Sequence, residues 1–188
     1  MTSQSSDRPV FELPVLHTPP AFAPVCPYIY RSGDPSGNPQ SFAFLDTLRI
    51  KTMVILSIEA PSKQLTEYCN CSNVQMYHFG IERRWPAASR AGGGGSLSHH
   101  LFLSPHEINS FSVLESIVKD SLEILLDARN YPVLVLDTSG IFETGTLIGC
   151  LRKMQGWNFA SILVEYRSFA GSRSRSANER FIEVRLSC

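Results

Sequence analysis

Asn130-Tyr131-Pro132-Val133-Leu134-Val135-Leu136-Asp137-Thr138-Ser139-Gly140-Ile141-Phe142-Glu143-Thr144-Gly145 is the stretch on which the reading of this chain turns. Its first half, Pro132-Val133-Leu134-Val135-Leu136, is a short aliphatic run rich in β-branched residues, the pattern of a strand buried on both faces. A glycine-bearing loop follows, and Thr146–Gln155 is predicted to be helical. Strand, tight loop and helix together make a natural anion site, because backbone N–H groups point inward and the helix N-terminus carries partial positive charge.

Outward from that stretch the same alternation recurs. Tyr28–Gly33 reads as a short strand and turn, and Asp34-Pro35-Ser36-Gly37-Asn38-Pro39 is turn chemistry, with Pro39 suited to the first turn of a helix through Phe42, Phe44, Leu45 and Leu48. Thr52–Ile58 is a second continuous apolar run. Residues 61–72 are expected to be helical, Val74–Phe79 extended, and His106–Asn130 helical from the near-helical spacing of Ile108, Phe111, Val113, Leu114, Ile117, Val118, Leu122 and Leu125. Phe159–Phe169 and Ser176–Val184 complete the helices. Strands alternating with helices predict an α/β domain with a central, mostly parallel sheet covered on both faces. Residues 1–23, rich in proline, are expected to be a partly disordered arm, residues 24–188 the folded domain, and residues 82–98, with Gly92-Gly93-Gly94-Gly95, a mobile loop.

Composition bounds the function. The 188 residues carry 17 Lys plus Arg and 17 Asp plus Glu, so bulk electrostatic attraction to nucleic acid or an anionic membrane is not expected. No apolar run approaches the roughly 18 residues of a membrane span, and the polar start Met1–Arg8 lacks a signal-peptide core, which makes a cytoplasmic protein the expectation. The five cysteines are scattered and odd in number, which argues against a disulfide framework. Cys69-Asn70-Cys71 lacks a second pair at metal-site spacing, and His99, His100 and His106 suit neither one helix face nor one strand face, so no metal or cofactor is expected. Arg173, Arg175 and Arg180, among Ser172, Ser174 and Ser176, read as a solvated basic face, with a docking or phosphorylation-regulated segment as the alternative. Trp157 and Phe159 are expected in the core.

Three readings of the loop compete. Gly140-Ile141-Phe142-Glu143-Thr144-Gly145-Thr146 has the spacing of a nucleotide-binding loop but lacks its lysine. Asp137 at the end of an apolar strand could act as a nucleophilic carboxylate, although Ser139 stands where a second carboxylate is usual. The third reading comes from the flanks. Gly140, Thr144 and Gly145 in the loop, Leu147–Trp157 after it, Ser161–Gly171, and upstream Ile29-Tyr30-Arg31-Ser32-Gly33-Asp34-Pro35 with Leu48–Thr52 resemble the atypical dual-specificity phosphatases of fungi and plants, a tyrosine-phosphatase-like family that includes the fungal Oca group. The resemblance covers about residues 24–184 apart from the Gly-rich loop.

That resemblance implies the cysteine-phosphatase fold. It also places Asp137 where the family carries its cysteine nucleophile and Glu143 where it carries the phosphate-binding arginine, with Leu136 replacing a histidine. Two carboxylates in place of a thiolate and a guanidinium change the local charge from zero to −2, and like charges at close range cost on the order of 1 kcal/mol per pair even in water. The resemblance therefore implies a catalytically inactive relative, a scaffold or regulatory subunit joined to related phosphatase-fold proteins in inositol-pyrophosphate or nutrient signalling. An inositol-phosphate sensor and an enzyme of Asp137 carboxylate chemistry stand as the alternatives.

Overall fold

The computed structural model describes residues 15–80 and 105–184, with side chains from residue 114 onward in the second stretch. The expectations for residues 1–14 and for the Gly-rich loop 82–98 with His99 and His100 lie outside these residues, as does the side chain of His106. Five strands, β1 (Ala23–Cys26), β2 (Ile29–Ser32), β3 (Thr52–Ile55), β4 (Gln75–His78) and β5 (Val133–Leu136), form one sheet in the order β1-β2-β5-β3-β4. All neighbours run parallel except β1, which closes one edge antiparallel to β2. Helices α1 (Gln40–Leu48) and α2 (Lys63–Cys71) belong to one face, and α3 (Pro105–Leu126), α4 (Phe142–Met154), α5 (Phe159–Ala170) and α6 (Ser176–Val184) to the other.

The central place of β5 follows from its four residues, none of which exceeds 1% exposure. Val133 and Val135 enter the core with Leu122, Leu147, Leu151, Tyr166 and Ile182, whereas Leu134 and Leu136 pack with Leu45, Met53, Leu65 and Val74. A strand with this double duty cannot alternate polar and apolar residues, and each such buried side chain contributes roughly 1.5–3 kcal/mol. The sheet is therefore the mostly parallel one expected, flanked by helices on both sides.

Register then fixes the site. Ser32 of β2 and Ile55 of β3 both pair with Leu136, so the three inner strands end level and the chain leaves β5 at the carboxyl edge of the sheet. Open α/β sheets bind their ligands at that edge.

Three local expectations need correction. Ala23–Cys26, at the start of the expected domain, forms β1, a strand the sequence reading did not include, and Pro24 is tolerated because an edge strand does not need every N–H. Helix α4 begins at Phe142, four residues before the expected start. Trp157 is 44% exposed rather than core, with the Arg152 guanidinium lying over its ring at 4.3 Å. Arg152 itself is buried and pairs with both Glu165 oxygens at 2.8 and 2.9 Å and with the Val25 carbonyl at 2.8 Å, tying α4 to α5 and β1. Among the described residues, no helix is long and apolar enough to cross a membrane.

Candidate functional site

At the end of β5 the chain turns through Asp137-Thr138-Ser139-Gly140 into α4. Ile141 in the N-cap position has no side chain able to cap the helix. The cap comes from further back. Asp137 Oδ2 accepts from the Thr144 N–H at 2.9 Å, and Asp137 Oδ1 accepts from the N–H groups of Ser139 and Gly140, each at 2.6 Å, and from Ser139 Oγ at 2.9 Å. A carboxylate so placed satisfies otherwise orphaned helix donors and faces the positive end of the α4 dipole. Asp137 is only 1% exposed, so its charge is balanced by these donors rather than by water.

The loop is held from behind by Arg31. Its Nη2 donates to the Gly140 carbonyl at 2.7 Å, and its guanidinium stacks on Phe169 at 3.7 Å. Burial leaves Arg31 Nε and Nη1 without partners and pulls its pKa down to about 10, with nearby Glu165 and Asp137 opposing the fall. Thr144 Oγ1 and Ser32 Oγ are likewise buried and unpartnered. Gly140 has φ +72°, and Gly145 lets the Tyr166 ring approach so closely that a Cβ would sit 2.8 Å from it.

Glu143 is the second carboxylate of the site. Burial, and then the Asp137 charge, push its pKa up to about 7. Arg175 Nη1 lies 3.8 Å from Glu143 Oε1 and its guanidinium 3.5 Å above the Phe142 ring. The sequence pointed to Asp137, Glu143, Gly140, Thr144 and Gly145, and these five do share one loop and helix start. It missed Arg31 and Arg175 as members of the site. Arg175 is not a purely solvated residue, because Asn178 Nδ2 donates to the Phe142 carbonyl at 3.2 Å and docks its segment on α4.

The raised Glu143 pKa makes stability depend on pH. Folded Glu143 keeps its proton above its ordinary 4.5, so the folded state binds more protons than the unfolded chain between about 4.5 and 7. The stabilisation linked to that proton is complete below 4.5 and is lost as pH rises through about 7. Relative to Glu143→Gln, the natural protein should lose on the order of 3 kcal/mol across this window. Urea denaturation of both at several pH values measures the difference, and parallel pH curves would contradict it.

Among the described residues, no thiol stands in this loop. Cys150 lies inside α4, fully buried, with a pKa pushed up to about 12, and Cys69 is buried beside Met53 while Cys71 is exposed on the same helix. Among the described residues no three His, Cys, Asp or Glu side chains group as a metal site.

Comparison with known proteins places this geometry. The tyrosine phosphatase family matches residues 16–185. The chain is 37% identical to the "Putative tyrosine-protein phosphatase OCA1" of Debaryomyces hansenii over 153 residues, 81% of this chain and 68% of that one. It is 35% identical to "Inositol diphosphatase DSP4" of Arabidopsis thaliana over 170 residues, 90% of this chain and 74% of that one. The core catalytic domain of the PP-IP phosphatase SIW14 of S. cerevisiae superposes with a TM-score of 0.69 at 27% identity, covering 90% and 88% of the two chains.

These relatives overturn the expectation of a non-enzymatic scaffold, because the proteins that share most of this chain are named as phosphatases. The expectation rested on a local charge of −2, and the fold divides that charge. Backbone donors hold the Asp137 carboxylate, and burial keeps a proton on Glu143 up to about pH 7, so below that pH the pair carries less negative charge than two free carboxylates would. With a family match that spans residues 16–185 and relatives above 30% identity over four-fifths of its length or more, the chain belongs to the tyrosine phosphatase family.

Proposed function

We propose that the protein is a phosphatase that removes the terminal phosphate of an inositol diphosphate, with Leu136–Gly145 as its phosphate-binding loop. The observation that carries this reading is the way the Ser139, Gly140 and Thr144 N–H groups enclose one carboxylate at the carboxyl end of β5, the first two on Asp137 Oδ1 and the third on Oδ2. Three inward donors at a helix N-terminus are the machinery that binds phosphate oxygens and stabilises charge developing on them. The substrate class follows the names of DSP4 and SIW14.

The chemistry is that of a carboxylate pair. As the amides pass to the phosphate oxygens, an Asp137 oxygen attacks the terminal phosphorus. A new P–O bond to the carboxylate forms while the bridging P–O bond breaks, and the departing inositol monophosphate oxygen takes the proton held by Glu143. Water then attacks the aspartyl phosphate, releasing inorganic phosphate and restoring Asp137, while Glu143 recovers its proton. A carboxylate seated on backbone donors beside a carboxyl group whose pKa burial raises to about 7 suits the nucleophile and acid roles. The acid must hold its proton, so activity should fall as pH rises through about 7, and Glu143→Gln should lose that alkaline limb together with most of the rate.

Phosphate release from an inositol diphosphate by the purified protein tests the proposal directly, with hydroxylamine trapping of the acyl phosphate as a second readout. No release across the pH range, or release undiminished in Asp137→Asn, would sink it.

A further inference from the structure

We infer that Arg175, from the segment before α6, supplies the guanidinium that binds the substrate's phosphate at this loop; the inference rests on the phosphatase reading above. The loop itself has no cation, since its helix start offers Phe142, Glu143 and Thr144. Arg175 reaches it from a distant part of the chain. Its carbonyl accepts from the N–H groups of Asn178 and Glu179 at 3.0 and 3.2 Å, which fixes its backbone at the start of α6. Asn178 in turn bonds the first residue of α4.

The side chain is posed as a binding group. One face of the guanidinium packs on Phe142 at 3.5 Å, which orients the plane, while the side chain stays 37% exposed. It donates no hydrogen bond among the described residues, and its approach to Glu143 is long at 3.8 Å. A guanidinium that holds structure looks different in this same protein. Arg152 meets Glu165 through two bonds at 2.8 and 2.9 Å and is nearly buried. Arg175 thus keeps its planar fork of donors available, and that fork matches two oxygens of a phosphate group. Glu143, between Arg175 and the cradle, competes for the same donors when ionised and releases them when protonated.

Binding and turnover separate the inference from the reading it rests on. Pyrophosphate and inositol hexakisphosphate serve as binding probes by calorimetry, at low and high salt, with the natural protein, Arg175→Lys and Arg175→Met. Methionine keeps an unbranched apolar stem on Phe142, so the fold should survive, and thermal denaturation verifies that. The expected result is a loss of affinity of about tenfold to a hundredfold in Arg175→Met, an intermediate loss in Arg175→Lys, and a weaker salt dependence in Arg175→Met. With an active protein the same change should appear in KM more than in kcat. Equal affinity in the natural protein and a folded Arg175→Met overturns the inference. Probe binding that weakens in Arg175→Met without any turnover supports it while defeating the phosphatase reading. Failure of the natural protein to bind either probe overturns both.

Discussion

Asp137→Ala should lower the stability of the folded protein by about 3–5 kcal/mol and abolish turnover, and phosphate should restore part of the lost stability. The carboxylate accepts the N–H groups of Ser139, Gly140 and Thr144, of which the last two are fully buried. Alanine leaves all three without a partner, and each unmet buried donor costs roughly 1–3 kcal/mol. For a domain of this size the change corresponds to a drop in Tm of roughly 10 °C. The vacated cradle is then an anion site whose donors are free. Inorganic phosphate at about a hundred times its Kd adds roughly 2.7 kcal/mol to whichever protein binds it. The alanine variant should gain more than the natural protein, in which Asp137 must first give up the same amides. Asp137→Asn should fall between them, because its amide oxygen can still accept while its NH₂ group opposes one of the donors. Thermal denaturation with and without phosphate measures all three proteins. An alanine variant as stable as the natural protein, or equal phosphate shifts in both, would refute the account of the loop.

The carboxylate also explains which parts of the site could be read in advance. Val133–Leu136 is legible as a doubly buried strand because its burial is written in four successive aliphatic residues. The first turn of α4 was not legible, because its capping group sits on Asp137 and not on the neighbouring Ile141. Sequence rules for helix starts look for Ser, Thr, Asp or Asn immediately before the helix, and a cap delivered across a loop leaves no such mark. β1 was hidden for a related reason, since prolines that suggest a free arm also suit an edge strand.

The two arginines of the site were missed in different ways. Arg31 stood in view within a recognised motif, yet a buried arginine is an exception to residue statistics and only the fold shows its bond to the Gly140 carbonyl. Arg175 lies in a Ser/Arg segment whose composition reads as surface, and its place over Phe142 depends on how α6 packs against α4. The charge argument failed because it counted side chains without their hydrogen bonds. Two carboxylates read as −2 from sequence, whereas burial moves one of them to a pKa of about 7 and backbone donors surround the other.

Gly140→Ala should be among the most damaging single substitutions in the molecule, and Gly156→Ala provides its internal control. Both glycines have positive φ, +72° and +79°. That conformation costs a residue with a Cβ roughly 1–2 kcal/mol. Around Gly156 a Cβ meets nothing within 4 Å, so the backbone term should be the whole effect there. At Gly140 the new Cβ would lie 2.3 Å from the Gly33 nitrogen and 2.5 Å from the Ser32 carbonyl carbon. Both obstacles are backbone at the end of β2, so neither can rotate aside, and overpacking of this kind typically adds 1–3 kcal/mol or more. Relief requires the loop to move away from β2. That movement pulls the Gly140 carbonyl from Arg31 and the Gly140 N–H from Asp137, bonds of 2.7 and 2.6 Å. A total of about 4–6 kcal/mol follows for Gly140→Ala against about 1–2 kcal/mol for Gly156→Ala. Urea denaturation gives both values, and phosphate binding should weaken only in the Gly140 variant, since the displaced N–H is one of the three that converge on the cradle. Equal costs at the two glycines would mean that β2 does not pin the loop, and the cradle would then have to be held by Asp137 alone.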